Sequence, residues 1–251
     1  MSLTPAPAAS GGVNACALVP CLDAASTLGA VVRRARAHVG TVIVVDDGSV
    51  DDSVAVATEA GAVVVRHPSN RGKGHALLTG LAAAGERGHT HAVALDADGQ
   101  HDPDDIPGLL AAARARPDAL IVGARDFDVP HVPGGSRFGR AFSNFWVALE
   151  TFRRLTDTQS GFRVYPVALT LALRVPPSRF QWEVEVLVRA AWAGLEVRDE
   201  PVRVYYPPPD ERTSHFRGFV DSARLSVMHT RLVFRQVLRL VWPTRRLLPR
   251  P

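Results

Sequence analysis

The sequence predicts an α/β fold built on a mostly parallel sheet, and three observations carry that reading. Short apolar runs recur at residues 15–19, 41–45, 62–66, 92–95 and 119–122. Segments of helical spacing separate them, as β-α-β crossovers require. Polar clusters follow the runs, at the strand ends where such sheets place ligands. With 46% hydrophobic and 22% charged residues over 251 positions, the chain can bury a core of one large or two small domains.

Residues 15–19 form a short apolar run ended by Pro20. Residues 24–38 have helical spacing through Leu28, Val31, Val32 and Ala35, with Arg33, Arg34 and Arg36 largely off that face. Residues 41–45 are continuously β-branched, as a strand buried on both faces should be. Asp46-Asp47-Gly48-Ser49 breaks the run, and a helix over 51–60 follows with Ser49 or Asp51 as its cap. A buried strand over 62–66, a helix over 73–86, a strand over 92–95 and a helix over 103–114 come next. Pro103 suits the first turn of that helix. Residues 119–122 supply the fifth strand.

The second half is less regular. Residues 127–136 read as a Pro/Gly loop, and 137–155 as a helix rich in aromatic residues. A polar loop spans 157–163, a helix 182–192 ends at Gly194, and 196–206 alternates like a strand. Pro207-Pro208-Pro209 marks a boundary before a long helical pattern over 216–242 that Pro243 stops. The domain reading is a small disordered leader over 1–12, a core domain over 13–206, and a basic loop with an amphipathic tail helix over 207–251.

The composition excludes several classes. No run of eighteen apolar residues occurs, so an ordinary spanning helix is not expected. The first twelve residues have neither a basic nor an apolar signal region. Cys16 and Cys21 make neither a disulfide framework nor a zinc site, which fits a reducing compartment. Net charge is +4 overall, but residues 207–251 carry nine Arg against three acids. The rest of the chain is slightly acidic. Such a tail seeks phosphate groups. Arg224, Arg231, Arg235 and Arg239 fall on one face of its helix, beside an apolar remainder. An in-plane helix on anionic lipid is one reading; packing on the core domain or a second subunit is the other. Nucleic acid is not an expected partner, because the body is near neutral.

Asp96-x-Asp98-x-Gln100 is the strongest chemical signal. Carboxylate and amide oxygens two residues apart, just past a buried strand, suit a hard cation such as Mg²⁺ or Mn²⁺. The plain alternative is a solvated turn capping the next helix. Asp46 and Asp47 follow the second strand, where a carboxylate can accept from a base or ribose; a turn is again the alternative. Gly72-Lys73-Gly74 opens a helix whose N-terminus and ammonium suit phosphate. Its spacing is not that of a P-loop, and no G-x-G-x-x-G follows the first strand, which disfavours dinucleotide enzymes.

Six strings in this order resemble the family 2 glycosyltransferases of GT-A fold, and within them the dolichyl/polyprenyl-phosphate sugar (mannose) synthases. They are Leu18-Val19-Pro20, residues 44–51, residues 70–74, residues 96–103, Gly123-Ala124-Arg125 and residues 157–163. The resemblance covers residues 14–206 and implies a Rossmann-like, mostly parallel sheet with flanking helices. It implies an inverting, metal-dependent transfer of one sugar from a nucleotide-sugar donor to a membrane-associated acceptor, foremost polyprenyl phosphate. Pro20, Asp46, Asp47, Lys73, Asp96 and Arg212 would line the donor site. Asp96, Asp98 and Gln100 would hold Mg²⁺ or Mn²⁺. Arg125, with Arg137 or Arg140, would meet an acceptor phosphate, with Arg163 close by. Asp157 would orient these arginines or act as a base toward a hydroxyl acceptor. Glu183, Glu185 and Glu200 also match family positions.

Two departures stand out. Asp23-Ala24 replaces the Asn-Glu usual after the first strand, and Arg212-Thr213-Ser214-His215 replaces the common Gly-x-Ser-Lys. The Q-x-x-R-W motif of processive synthases is absent, which implies single addition. The resemblance further implies an enzyme on the inner, cytoplasmic face of a membrane. The alternatives are transfer to a lipid or polyene hydroxyl, and a non-catalytic protein of the same fold that recruits membrane partners.

Overall fold

The computed structural model describes residues 12–128, 132, 134–206 and 218–241, with side chains of the last helix described over 224–238. Residues 1–11 of the expected leader and the whole of 207–217, Arg212 included, therefore lie outside the described residues.

The first half alternates as expected: β1 (Ala15–Cys21), α1 (Ala25–Arg36), β2 (Val42–Asp46), α2 (Ser53–Glu59), β3 (Val63–Arg66), α3 (Lys73–Glu86) and β4 (His91–Ala94). A single 3-10 turn over Pro103–Asp105 leads into α4 (Ile106–Ala115), and β5 (Leu120–Arg125) follows. Then come α5 (Gly134–Thr151), β6 (Arg163–Pro166), α6 (Val167–Ala172), α7 (Gln181–Trp192), β7 (Val197–Val202) and α8 (Gly218–Val241). The seven strands form one sheet in the order β3-β2-β1-β4-β6-β5-β7. Every neighbour pair is parallel except those made by β6, which runs against β4 and β5.

The sheet carries helices on both faces because alternate strand residues point opposite ways. Ala17 and Val19 of β1 join Val42 and Val44 of β2 in a layer under α1, α2 and α4. Leu18 joins Ile43 and Val45 in the opposite layer, under α3 and α7. Cys16 and Cys21 are buried and unbridged.

Several expectations need correction. Residues 157–162 form the expected loop, but it ends one residue early, because Arg163 opens β6, a strand too short for its alternation to be legible. The aromatic helix starts earlier than expected, within the 127–136 Pro/Gly stretch, and ends at Thr151. β7 ends at Val202, and only the isolated bridge between His101 and Val204 extends it. Ser49 does not cap α2; its Oγ accepts the Asp23 N–H at 2.9 Å. Asp51 serves two helices instead. Its Oδ1 accepts the Ser53 N–H and its Oδ2 the Ala25 N–H, each at 3.0 Å, so one carboxylate faces the N-termini of α1 and α2.

The tail helix packs on the core domain. Leu225, Met228 and Leu232 of α8 bury against Val147 of α5 and Val184 and Val188 of α7. Arg231 pairs with Glu185, and His229 Nδ1 lies 2.9 Å from Glu150 Oε1. Among the described residues no helix is long and apolar enough to cross a membrane.

Candidate active site

The site forms at one edge of the sheet. The carboxyl ends of β1, β2, β4, β5 and β7 meet there. Because β6 is reversed, its first residue, Arg163, and the loop before it arrive at the same edge, opposite Ala94 of β4. Sheet polarity thus brings together the strings at 18–20, 46–49, 96–101, 123–125 and 157–163.

On the donor side, Pro20 sits past the end of the β1–β4 ladder, where a missing N–H costs no sheet bond. Asp46 is fully buried; its Oδ1 accepts the Ser49 N–H and its Oδ2 lies 3.1 Å from Arg66 Nε. Asp47 is the anchor of the next loop. It accepts the backbone N–H groups of Arg71 at 2.9 Å and Gly72 at 2.7 Å, and it contacts His67 Nδ1 at 2.7 Å. Gly48 makes this possible: at φ 85°, a Cβ there would lie 2.7 Å from the Ser69 backbone.

Lys73 does open α3, but its ammonium is not free for phosphate. It lies 2.6 Å from Asp96 Oδ1 and 2.9 Å from Glu183 Oε2, which corrects the expectation of a donor-phosphate contact. Gly161 closes over this pair; a Cβ there would sit 2.8 Å from Asp96 Oδ2 and 2.9 Å from Lys73 Nζ. Burial would raise the Asp96 pKa, but Lys73 and the nearby His101 more than offset it, and the net shift is downward.

Asp98 behaves oppositely. Burial and the charge of Asp96 push its carboxyl upward, although its Oδ1 accepts the Gln100 N–H at 3.0 Å. Two carboxylates crowded this way fit a divalent cation, which would relieve their repulsion. No cluster of three His, Cys, Asp or Glu side chains able to hold a metal exists among the described residues. Two carboxylates and an amide are oxygen donors of the kind a hard cation takes, but fewer than its full set of ligands. The turn is braced from β7's side, where the Tyr205 N–H donates to Gln100 O at 2.8 Å.

A cationic cluster flanks this turn. Asp157, fully buried, receives Arg125 Nε at 2.6 Å and a second guanidinium nitrogen at 3.0 Å. Burial alone would lower the Arg125 pKa; the hydrogen bonds and charge of Asp157 raise it. Two guanidinium groups approach the Phe127 ring, Arg140 at 3.7 Å and Arg125 at 5.2 Å from its centroid. Arg137 donates to the Phe127 carbonyl at 2.5 Å. Tyr206 packs on the same ring, and its buried hydroxyl has no hydrogen-bond partner among the described residues.

Arg163 does not belong to that cluster. It is fully buried, and its guanidinium donates to the carbonyls of Ser160 at 2.7 Å, Thr158 at 2.9 Å and Glu183. It holds the 157–160 loop rather than facing a ligand, which corrects its assignment as catalytic. Phe127 and Tyr206 escaped the sequence reading because a lone aromatic beyond a strand carries no periodic signal. Glu183 matched a family position, but its helix face offered a sufficient explanation.

Known proteins resemble this chain in both sequence and fold. An undecaprenyl-phosphate mannosyltransferase of Micrococcus luteus is 28% identical over 64% of this chain and 70% of its own. A UDP-N-acetylglucosamine–dolichyl-phosphate N-acetylglucosaminyltransferase of Methanococcus voltae is 26% identical over 75% of this chain and 84% of its own. The glucosyl-3-phosphoglycerate synthase of Mycobacterium tuberculosis, solved with Mn²⁺, UDP and phosphoglyceric acid, superposes with a TM-score of 0.65 at 20% identity. That match covers 90% of this chain and 78% of the other, and it places the present fold among the GT-A folds. The sequence profile of glycosyl transferase family 2 matches residues 16–169, more than half of the chain, and the protein belongs to that family as a glycosyltransferase.

Proposed function

We propose that the enzyme moves one sugar, with inversion, from a nucleoside-diphosphate sugar to a membrane-borne polyprenyl phosphate. The observation that carries this reading is the arginine cluster beside the Asp96–Asp98 turn. Arg125, held bidentately by Asp157, and Arg140, stacked on Phe127, present two guanidinium groups around one ring. Planar guanidinium groups suit a phosphate more than a neutral hydroxyl. The similarity to enzymes named for undecaprenyl and dolichyl phosphate supports the same acceptor class.

The residues divide the work along the sheet edge. Pro20 and the Asp46–Asp47 turn border the donor's nucleoside, and Lys73 fixes Asp96 in its ionised form. Asp96, Asp98 and Gln100 would hold a Mg²⁺ or Mn²⁺ ion, which supplies charge neutralisation on the departing diphosphate. Arg125, Arg137 and Arg140 orient the acceptor phosphate. One of its oxygens bonds to the anomeric carbon from the face opposite the leaving group, and the bond to the diphosphate oxygen breaks. A phosphate oxygen is already anionic, so no general base is needed. A hydroxyl acceptor would need one, and Asp157, with both oxygens facing Arg125, is poorly disposed to serve. Contact with an anionic membrane through α8 fits its solvent face, where Val227, Phe234 and Val237 are exposed.

The test is nucleoside diphosphate release from a panel of nucleotide sugars with Mn²⁺ or Mg²⁺, with and without a short-chain polyprenyl phosphate. Release that depends on the polyprenyl phosphate is expected. Release stimulated only by lipid hydroxyls would overturn the acceptor assignment.

A further inference from the structure

Tyr205 and Tyr206 follow β7 and keep a strand's alternation: the first is 60% exposed, the second 5%. Two backbone ties hold this segment to the turn after β4. Val204 forms a bridge with His101, and the Tyr205 N–H donates to Gln100 O at 2.8 Å. Tyr206 is therefore placed by the same turn that carries Asp98 and Gln100. Its ring packs on Phe127, with 6.1 Å between centroids.

The Tyr206 hydroxyl is buried and has no hydrogen-bond partner among the described residues. A buried hydroxyl left unpaired costs stability, so its place in the fold asks for a reason. The cations beside it are engaged elsewhere. Arg125 is gripped by Asp157, Arg137 donates to the Phe127 carbonyl, and Arg140 lies over the Phe127 ring. Burial raises the Tyr206 pKa; Arg125 draws it down, Asp157 pushes it up, and Arg140 and Arg137 draw it down, with a net shift upward. The phenol thus keeps its proton and is a hydrogen-bond donor. A directed neutral donor beside guanidinium groups complements an anion: the arginines supply the charge and the hydroxyl a fixed direction.

We infer that the Tyr206 hydroxyl donates a hydrogen bond to an oxygen of the acceptor phosphate, beside the guanidinium groups of Arg125 and Arg140. A hydroxyl donating to an anionic oxygen forms one of the stronger hydrogen bonds available to a side chain. The bond satisfies the orphaned hydroxyl only when the acceptor is bound, so its full value appears as affinity. The inference rests on the proposed acceptor class. The donor's diphosphate offers the same oxygens, and the experiment separates the two sources.

The experiment compares the full-length wild type with Tyr206→Phe, which keeps the ring on Phe127 and deletes only the hydroxyl. Calorimetry measures equilibrium binding of a short-chain polyprenyl phosphate, of the polyprenol of the same length, and of nucleoside diphosphates with Mn²⁺. The variant should bind the polyprenyl phosphate about tenfold more weakly, the scale of one hydrogen bond to a charged group. Its affinity for the polyprenol and for nucleoside diphosphate should match wild type. Without ligand it should melt at or above the wild-type temperature, because an unpaired buried hydroxyl is gone. A lower melting temperature with unchanged affinities would make the hydroxyl structural and overturn the inference. So would an equal loss for the polyprenol, which would place the side chain against the lipid chain, or a loss confined to nucleoside diphosphate, which would place it on the donor. If wild type binds the polyprenyl phosphate and Tyr206→Phe binds it equally, this inference alone fails. If wild type does not bind it, the proposed acceptor fails as well.

Discussion

Lys73 Nζ lies 2.6 Å from Asp96 Oδ1, and this contact joins the start of α3 to the turn after β4. Glu183 on α7 completes the bridge from the other side. Three separate elements therefore meet on the sole lysine of the chain. Removing the ammonium as Lys73→Met leaves two mostly buried carboxylates facing each other. The expected loss is about 1.5–3 kcal/mol of stability, the scale of a charged hydrogen bond. The urea midpoint measures it; an unchanged midpoint would show that the bridge contributes nothing.

Asp98→Asn should separate chemistry from folding. The amide oxygen can still accept the Gln100 N–H, and the repulsion from Asp96 that pushes the Asp98 pKa upward disappears. The melting temperature should therefore hold or rise. Donor turnover should fall about 100-fold or more, as when a group that stabilises transition-state charge is removed. Retained turnover would remove Asp98 from the proposed metal site.

Asp157→Asn addresses what the buried carboxylate does. It grips Arg125 through both oxygens. The acceptor KM should rise about tenfold as that guanidinium loses its bidentate partner. The pH–rate profile should keep its shape, because Asp157 removes no proton in the proposed reaction. A lost low-pH limb, the limb set by protonation of a base, would make Asp157 a general base and favour a hydroxyl acceptor.

Arg163→Met should act on stability instead. Its guanidinium serves the carbonyls of Ser160, Thr158 and Glu183 inside the protein. Leaving those acceptors unpaired costs at least about 3 kcal/mol. The urea midpoint should drop accordingly, while the KM of the surviving enzyme for donor and acceptor stays close to wild type. A selective rise in acceptor KM would return Arg163 to the binding site.

The first half of the fold was legible because the strands there are mainly apolar runs, most of them followed by a polar cluster. Val42–Asp46 is such a case, and so is its Asp-Asp-Gly turn. β6 was not legible: its four residues, Arg163–Pro166, include a buried arginine that reads as surface. The site strings were found by order and spacing, but the roles of single residues were not. Lys73 and Arg163 look alike in sequence to cations that meet phosphate. Only their partners, carboxylates for one and carbonyls for the other, show that the protein itself occupies them. Phe127 became visible only when Arg125 and Arg140 were found against its ring.

The two thiols offer a pH test of the core. Burial pushes the Cys16 thiol up to about 12 from 9.0, and Cys21 shifts the same way, chiefly through burial. Below pH of about 8 both folded and unfolded chains keep the protons, so the thiols add no pH dependence. As pH rises through the unfolded value, the unfolded chain ionises first and binds fewer protons than the folded one. Stability must then fall, by at most about 1.4 kcal/mol per pH unit for each thiol, until the folded value is reached. Cys16→Ala should flatten the decline in urea midpoint between about pH 9 and 11, where only the unfolded thiol ionises. In the native protein neither thiol should react with a disulfide reagent at about pH 8, and both should react in urea. Prompt native labelling of Cys16 would show that β1 opens readily at its start, next to His91 of β4, and that the paired centre of the sheet is less closed than its burial indicates.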